Sequence, residues 1–182
     1  MPNKIPDGTE LLNPKVILEE IGVEKGMKVA ELGCGSGFFT LQVARIVGDE
    51  GIVYAVDVLK PILQSIESKA KSQGLFNIKI VWSNLEIFGA TKIKDEILDF
   101  AFIFNILFQS KKRQEILKEA VRMLKKDGRL AVIDWTAKST FGPLSSERVS
   151  PDEVKDLATK LGLELEKEFE AGQYHYGLIF RK

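Results

Sequence analysis

From residue 28 onward, short stretches that are apolar almost throughout alternate with longer stretches whose apolar residues return every three or four positions. The continuous runs are 28–33, 52–57 (Ile52, Val53, Tyr54, Ala55, Val56, Asp57), 78–82, 98–104 and 129–134, each closed by glycine, aspartate or asparagine or by a polar loop. Such runs read as strands buried on both faces. The segments between them carry the helical period: one near 37–48, one over 61–74, and one near 111–125 in which Ile116, Leu117, Ala120, Val121 and Leu124 share a face. Strands separated by helices predict a parallel sheet covered on both sides, a doubly wound α/β architecture.

The two ends depart from this rhythm. Pro2, Pro6, Asp7 and Gly8 interrupt any period over 1–12, which reads as an arm draped over the ligand or flexible. Asn13 then caps a helix with Pro14 in its first turn, Val16, Ile17, Leu18 and Ile21 form its apolar face, and Gly22 ends it. This short helix reads as a lid, and the whole chain as one domain over 1–182, with arm and lid in 1–25 and the ligand-binding core in 26–182. At the other end, Ser150-Pro151-Asp152-Glu153 is a capping box that opens a helix to about Leu161, stopped by Gly162. Strand-like segments 163–169 and 174–181 follow, and the four residues between them force an antiparallel hairpin. The expected sheet therefore has seven strands, mostly parallel, with an antiparallel hairpin at its C-terminal end.

The length of 182 residues fits one domain with a full core. Lysine plus arginine and aspartate plus glutamate both number 26, so the net charge is zero and no basic block offers a polyanion site. Nucleic acid is therefore not an expected partner. Cys34 is the single cysteine, which rules out an intrachain disulfide and suggests no oxidising compartment. With no signal-peptide core at the start and no run approaching the ~18 apolar residues of a membrane span, the expected location is cytoplasmic.

The chemistry concentrates in Lys28-Val-Ala-Glu-Leu-Gly-Cys-Gly-Ser-Gly-Phe-Phe-Thr40, a strand that stops at Gly33 and leads through Gly35 and Gly37 into a helix. Glycine there lets a flat or bulky group lie against bare backbone, and the following helix presents free N–H groups. A dinucleotide fingerprint would place its third glycine at position 38, where Phe38 stands. Taken alone, the turn is also compatible with an ordinary tight strand-to-helix connection. Its glycine spacing, with Glu31 two residues ahead, resembles the first motif of class I S-adenosylmethionine-dependent methyltransferases. The resemblance implies that Glu31 helps hold the methionine amino end, while Gly33, Cys34, Gly35 and Gly37 admit the cofactor.

Further motifs follow in the family's order. Asp57 ends the second strand ~20 residues beyond the turn, where a carboxylate can accept hydrogen bonds from both ribose hydroxyls, and Val58 is placed beside it. Ser83-Asn84-Leu85-Glu86 ends the third strand. Many members of the family carry aspartate where Asn84 falls; an asparagine amide still offers an acceptor and two donors to an adenine edge, and turn chemistry also explains it. Asp99-Phe-Ala-Phe-Ile-Phe-Asn105-Ile-Leu-Phe108 resembles the fourth motif, which implies Asn105 beside the methionine part and Phe108 near the methyl acceptor. Leu124-Lys125-Lys126-Asp127-Gly128-Arg129-Leu130 resembles the family's helix, turn and fifth strand, the two lysines reading as a solvated helix end favoured by the dipole. The implied cofactor is S-adenosylmethionine, with S-adenosylhomocysteine as product.

The acceptor is less constrained. Trp135, Phe141, Pro143, Tyr174 and His175 are candidates for its pocket together with Phe108, although core packing explains Trp135, Phe141, Pro143 and the tyrosine equally well. His175, the lone histidine, is a candidate base, but a histidine in a strand is more often structural, so no catalytic residue is assigned. Asn105-Ile106-Leu107-Phe108 stands where amino-methylating nucleic-acid and protein enzymes carry Asn/Asp-Pro-Pro-Tyr/Phe. One cysteine argues against thiol-relay arsenic methylation and against nucleophilic cysteine enzymes acting on RNA. Asn105 with Asp134 is too small a ligand set for magnesium, and no metal is expected. The chain looks most like general small-molecule methyltransferases, including the quinone-biosynthesis branch, with a small aromatic or partly apolar acceptor. Two other readings stay open: a cofactor-binding sensor or partner subunit without its own acceptor site, and a protein or RNA methyltransferase.

Overall fold

A computed structural model describes residues 11–182. Along the chain come α1 (Pro14–Ile21), β1 (Lys28–Leu32), α2 (Phe38–Val47), β2 (Ile52–Asp57), α3 (Lys60–Ser72), β3 (Ile78–Trp82), β4 (Leu98–Phe104), a 3-10 turn (Leu107–Gln109), α4 (Arg113–Met123), β5 (Leu124–Trp135), α5 (Pro151–Lys160), β6 (Glu164–Glu170) and β7 (His175–Arg181). The described strands form one sheet in the order β3-β2-β1-β4-β5-β7-β6. β1 pairs in parallel with β2 and β4, β2 with β3, and β4 with β5, whereas β7 runs antiparallel to both β5 and β6. This is the expected mostly parallel, seven-stranded sheet with a C-terminal hairpin.

The sheet is covered on both faces because its central strands are apolar in both directions. Val29, Val53, Phe100, Phe102 and Ile133 pack on one face with Phe39, Val43 and Val47 of α2. Ala30, Leu32, Ile103, Leu130 and Leu178 pack on the other with α4 and α5. Leu63 and Ile66 of α3 join the α2 side through Ala55 and Cys34.

The first helix differs from its expected role. Asn13 caps α1 by accepting from the N–H groups of Lys15 and Val16, but Ile17, Leu18 and Ile21 are core residues packed against the α2 face of the sheet. Its apolar stripe is consumed by the sheet, so α1 is structural and does not lie over the ligand crevice. The arm expected over 1–12 falls outside the described residues except for its last two, of which Leu12 is buried.

The junction of α4 and β5 also differs. The helix stops at Met123, and Leu124 already pairs with Leu98 of β4; after an irregularity the ladder resumes at Arg129 with Phe100. Asp127 at φ 62° and the close-packed Gly128 make the turn inside this extended segment. Lys125 and Lys126 therefore lie beyond the helix rather than at its solvated end, and Lys125 forms a salt bridge with Asp99.

β6, at one edge of the sheet, exposes Glu164, Glu166, Lys167 and Glu168. Charges on an open edge oppose pairing with another chain. Among the described residues no helix is long and apolar enough to cross a membrane.

Candidate functional site

Winding reverses between β1 and β4, so a crevice opens at their carboxyl ends. The turn after β1 forms its floor. The N–H groups of Gly33 and Cys34 both donate to the Val56 carbonyl, at 2.8 and 3.0 Å, which fastens the turn to β2. Gly33 adopts φ +83°, and a Cβ there would stand 2.2 Å from Ile106 Cδ1. Gly35, at φ +48°, has nothing within 4 Å of the place a Cβ would take. One glycine is thus required by close packing and the other leaves a gap at the crevice.

The crevice has two lobes joined at Gly33, Gly35, Ile106 and Gln109, which line both. The lobe over β2 and β3 measures about 520 Å³. It brings together Asp57, Val58, Asn84 and Leu85, as expected from their strand-end positions. Asp57 Oδ2 accepts from Gly35 N–H at 3.1 Å and Oδ1 from Leu59 N–H at 2.9 Å. The carboxylate is held rigid by backbone while each oxygen keeps a lone pair for a ligand. Asn84 Oδ1 accepts from Glu86 N–H at 2.9 Å, so the asparagine also shapes its own turn.

The lobe over β1, β4 and β5 measures about 490 Å³ and holds Glu31, Cys34, Asn105, Phe108 and Trp135. Glu31 is 4% exposed and accepts from the Thr40 hydroxyl, a fully buried group on α2. Burial pushes the Glu31 carboxyl up to about 8, against the pull of Thr40. Asn105 sits at φ 55°, in the left-handed region that non-glycine residues avoid, and is 7% exposed. Its backbone is fully engaged, N–H to Ile133 and carbonyl from Gln109 Nε2, yet both side-chain polar atoms are buried without a partner. A buried, unpartnered amide on strained backbone suits a polar ligand group.

Cys34 is buried beside Ala55, Leu63 and Ile66, and burial raises its thiol pKa further from the range where a thiolate forms. Asp134, also fully buried, accepts from Trp135 N–H at 2.8 Å and from Phe108 N–H at 3.3 Å, and burial pushes it up to about 7. It pins the turn that carries Phe108 rather than lining the crevice. Among the described residues no group of three or more His, Cys, Asp or Glu side chains could hold a metal ion.

Of the remaining acceptor candidates, His175, Phe141 and Tyr174 do not line either lobe. His175 stacks behind Trp135 with ring centroids 4.2 Å apart, is 1% exposed, and has neither ring nitrogen hydrogen-bonded. Burial without a charge partner pushes it down to about 4, so it stands neutral and sealed off at pH 7. Phe141 and Tyr174 meet edge-to-face at 5.1 Å, and Phe141 is half exposed. The outer wall comes from Pro143, a candidate for the pocket, and from Gly142 and Glu147, which the sequence pattern left unremarked. Thr40, Ile106 and Gln109 were missed as well; only Thr40, a hydroxyl on an apolar helix face, carried a legible signal.

Comparison with known proteins agrees with this geometry. A family described as "Methyltransferase domain" matches residues 23–176. The chain belongs to the methyltransferase domain family. A solved SAM-dependent methyltransferase from Aquifex aeolicus is 29% identical, with a TM-score of 0.86 over 97% of this chain and 93% of that one. Among curated relatives, a demethylmenaquinone methyltransferase of Geobacillus stearothermophilus is 29% identical over 128 residues, covering 70% of this chain and 53% of that protein. A ubiquinone/menaquinone biosynthesis C-methyltransferase of Photorhabdus laumondii is 30% identical over 132 residues, covering 72% and 51%. This methyltransferase domain spans about half the length of the curated relatives it matches.

Proposed function

We propose that this methyltransferase domain moves a methyl group from S-adenosylmethionine to a small, planar and partly apolar acceptor of the quinone-precursor kind, in the cytoplasm. The reading rests on one observation: the two lobes share a glycine waist, with the ribose-binding type of carboxylate, Asp57, in one and Glu31 with the unpartnered Asn105 amide in the other. The donor set fits the cofactor. The free lone pairs of Asp57 would accept from the ribose hydroxyls, and Leu85 with Asn84 would flank the adenine. Glu31 would lose its proton and face the ammonium, with Asn105 Oδ1 or Nδ2 on the remaining polar end. The open space at Gly35 would let the ligand lie against the main chain.

When bound, the cofactor supplies a sulfonium-activated methyl group for in-line displacement by an acceptor nucleophile. The chain's own contribution is positioning and exclusion of water. Phe38, Phe104, Phe108 and Trp135 offer the acceptor flat apolar walls. The relatives named for demethylmenaquinone and ubiquinone/menaquinone methylation support a planar ring as acceptor. An acceptor-sized lobe within the chain itself weighs against a cofactor sensor without an acceptor site.

The test is isothermal calorimetry with S-adenosylmethionine, S-adenosylhomocysteine and NAD on the wild type and on Asp57→Ala. Binding of the first two, weakened about 100-fold in the variant, is the expected result. A preference for NAD, or unchanged affinity in Asp57→Ala, would sink the assignment.

A further inference from the structure

The acceptor lobe is closed on its outer side by residues 136–149, a connection between β5 and α5 with no regular secondary structure. Such a loop is ordinarily the mobile part of a fold. Here its carbonyls converge on one side chain. Arg148 donates from Nη1 to the carbonyls of Thr136, Ala137 and Ser139 at 2.9, 3.0 and 2.9 Å, and from Nη2 to those of Phe141 and Pro143 at 3.1 and 2.9 Å. Nε adds a bond to the Pro143 carbonyl at 3.1 Å. Among the described residues no salt bridge involves Arg148. The guanidinium therefore serves as a flat template for main-chain oxygens, with its donors committed to the loop and none left for a ligand.

The consequence for the crevice runs through Gly142. At φ +88° it lies flat on the Trp135 indole, where a Cβ would come 2.6 Å from Cδ2. The neighbouring Pro143 and Gly142 are the outer wall of the lobe, and Trp135, 3% exposed, is its inner wall. We propose that Arg148 is the positioning residue for the acceptor: it holds loop 136–148 in one conformation so that the acceptor wall stands preformed against Trp135. The acceptor half of this inference rests on the proposed methyl-transfer function; the ordering of the loop does not. A preformed wall lowers the ordering cost of binding a flat acceptor, and because the Arg148 bonds reach only loop carbonyls it leaves Asp57, Glu31 and Asn105 untouched.

The experiment compares wild type, Arg148→Ala and Arg148→Lys in a Trp82→Phe background, which leaves Trp135 as the single indole. Three readouts are taken: acrylamide quenching of Trp135, calorimetric affinity for S-adenosylhomocysteine, and affinity of the S-adenosylhomocysteine complex for 1,4-naphthoquinone. In both variants quenching is expected to rise about threefold and naphthoquinone affinity to fall about tenfold, with S-adenosylhomocysteine affinity within about twofold of wild type. Lysine keeps the charge but cannot span five carbonyls, so it should behave like alanine. Methylguanidine should lower the quenching of Arg148→Ala back to the wild-type level.

Unchanged quenching in Arg148→Ala, wild-type behaviour of Arg148→Lys, or loss of S-adenosylhomocysteine binding in step with the wall would each overturn the proposal. Failure of the wild-type complex to bind naphthoquinone would instead overturn the quinone-like acceptor, while the quenching comparison still decides what Arg148 does.

Discussion

Gly33 and Ile106 touch at the waist of the crevice so closely that no side chain fits between them: a Cβ on Gly33 would lie 2.2 Å from Ile106 Cδ1 and 2.6 Å from Cγ1. Because Gly33 also needs φ +83°, Gly33→Ala carries both a steric and a conformational cost, together about 3 kcal/mol. Urea denaturation should report that loss. Adding Ile106→Ala should relieve the steric part only, so that the double variant is more stable than the sum of the single changes predicts by about 1–2 kcal/mol. Strict additivity would show that the contact is not what requires the glycine.

Asn105 is expected to trade stability for binding. Asn105→Gly relieves the left-handed strain at φ 55° and removes two buried, unpartnered polar atoms. The variant should be about 1–2 kcal/mol more stable than wild type and should bind S-adenosylhomocysteine about tenfold more weakly. Thermal unfolding with and without the ligand checks both. A destabilised variant would mean that the amide has a partner in the folded protein.

Glu31 and Asp134 set an alkaline limb of stability. Both carboxyls are raised by burial, Glu31 from 4.5 to about 8 and Asp134 from 3.8 to about 7, so the folded protein holds protons that the unfolded chain has released. Their contribution is full below about pH 4 and fades as pH climbs through 7 to 8, amounting to a few kcal/mol (order of magnitude). Denaturation midpoints of the unliganded protein should therefore fall between pH 5 and pH 8, and Glu31→Gln should flatten the slope. An ammonium beside Glu31 stabilises the ionised form, so cofactor binding near pH 7 should release a proton, visible as a dependence of calorimetric enthalpy on buffer ionisation.

His175 acts in the opposite direction. Its pKa is pushed from 6.5 down to about 4 by burial, so the unfolded chain binds the proton first and stability is lost as pH falls from 6.5 to 4. His175→Phe, which can still pack on Trp135, should lose this acid limb while the alkaline limb persists. An unaltered acid limb would show that His175 is solvated in the native state.

Much of the sheet was legible because apolar runs and helical periods are local properties: β2, β3 and β4 fall on the expected residues, and β1 and β7 within a residue of them. That Glu31, Gly33, Gly35, Asp57 and Asn105 meet at one crevice was legible too, since strand ends in this architecture converge. The same pattern misjudged α1, whose stripe is the same for a lid as for a core helix; only the sheet face opposite it decides. It also made His175 and Tyr174 pocket candidates at the start of the last strand, a position that does not show what covers it.

What the sequence determined by itself is therefore the order of elements, the glycine turn and the position of the carboxylates that flank it, all fixed by spacing and backbone preference. Tertiary structure alone decided which aromatic residues reach the crevice, how Glu31 is buried against Thr40, and how loop 136–149 is shaped. The physical reason is that carbonyl groups are identical in every residue. Nothing in the sequence distinguishes the five that gather on Arg148, and their convergence exists only once the chain has folded around that guanidinium.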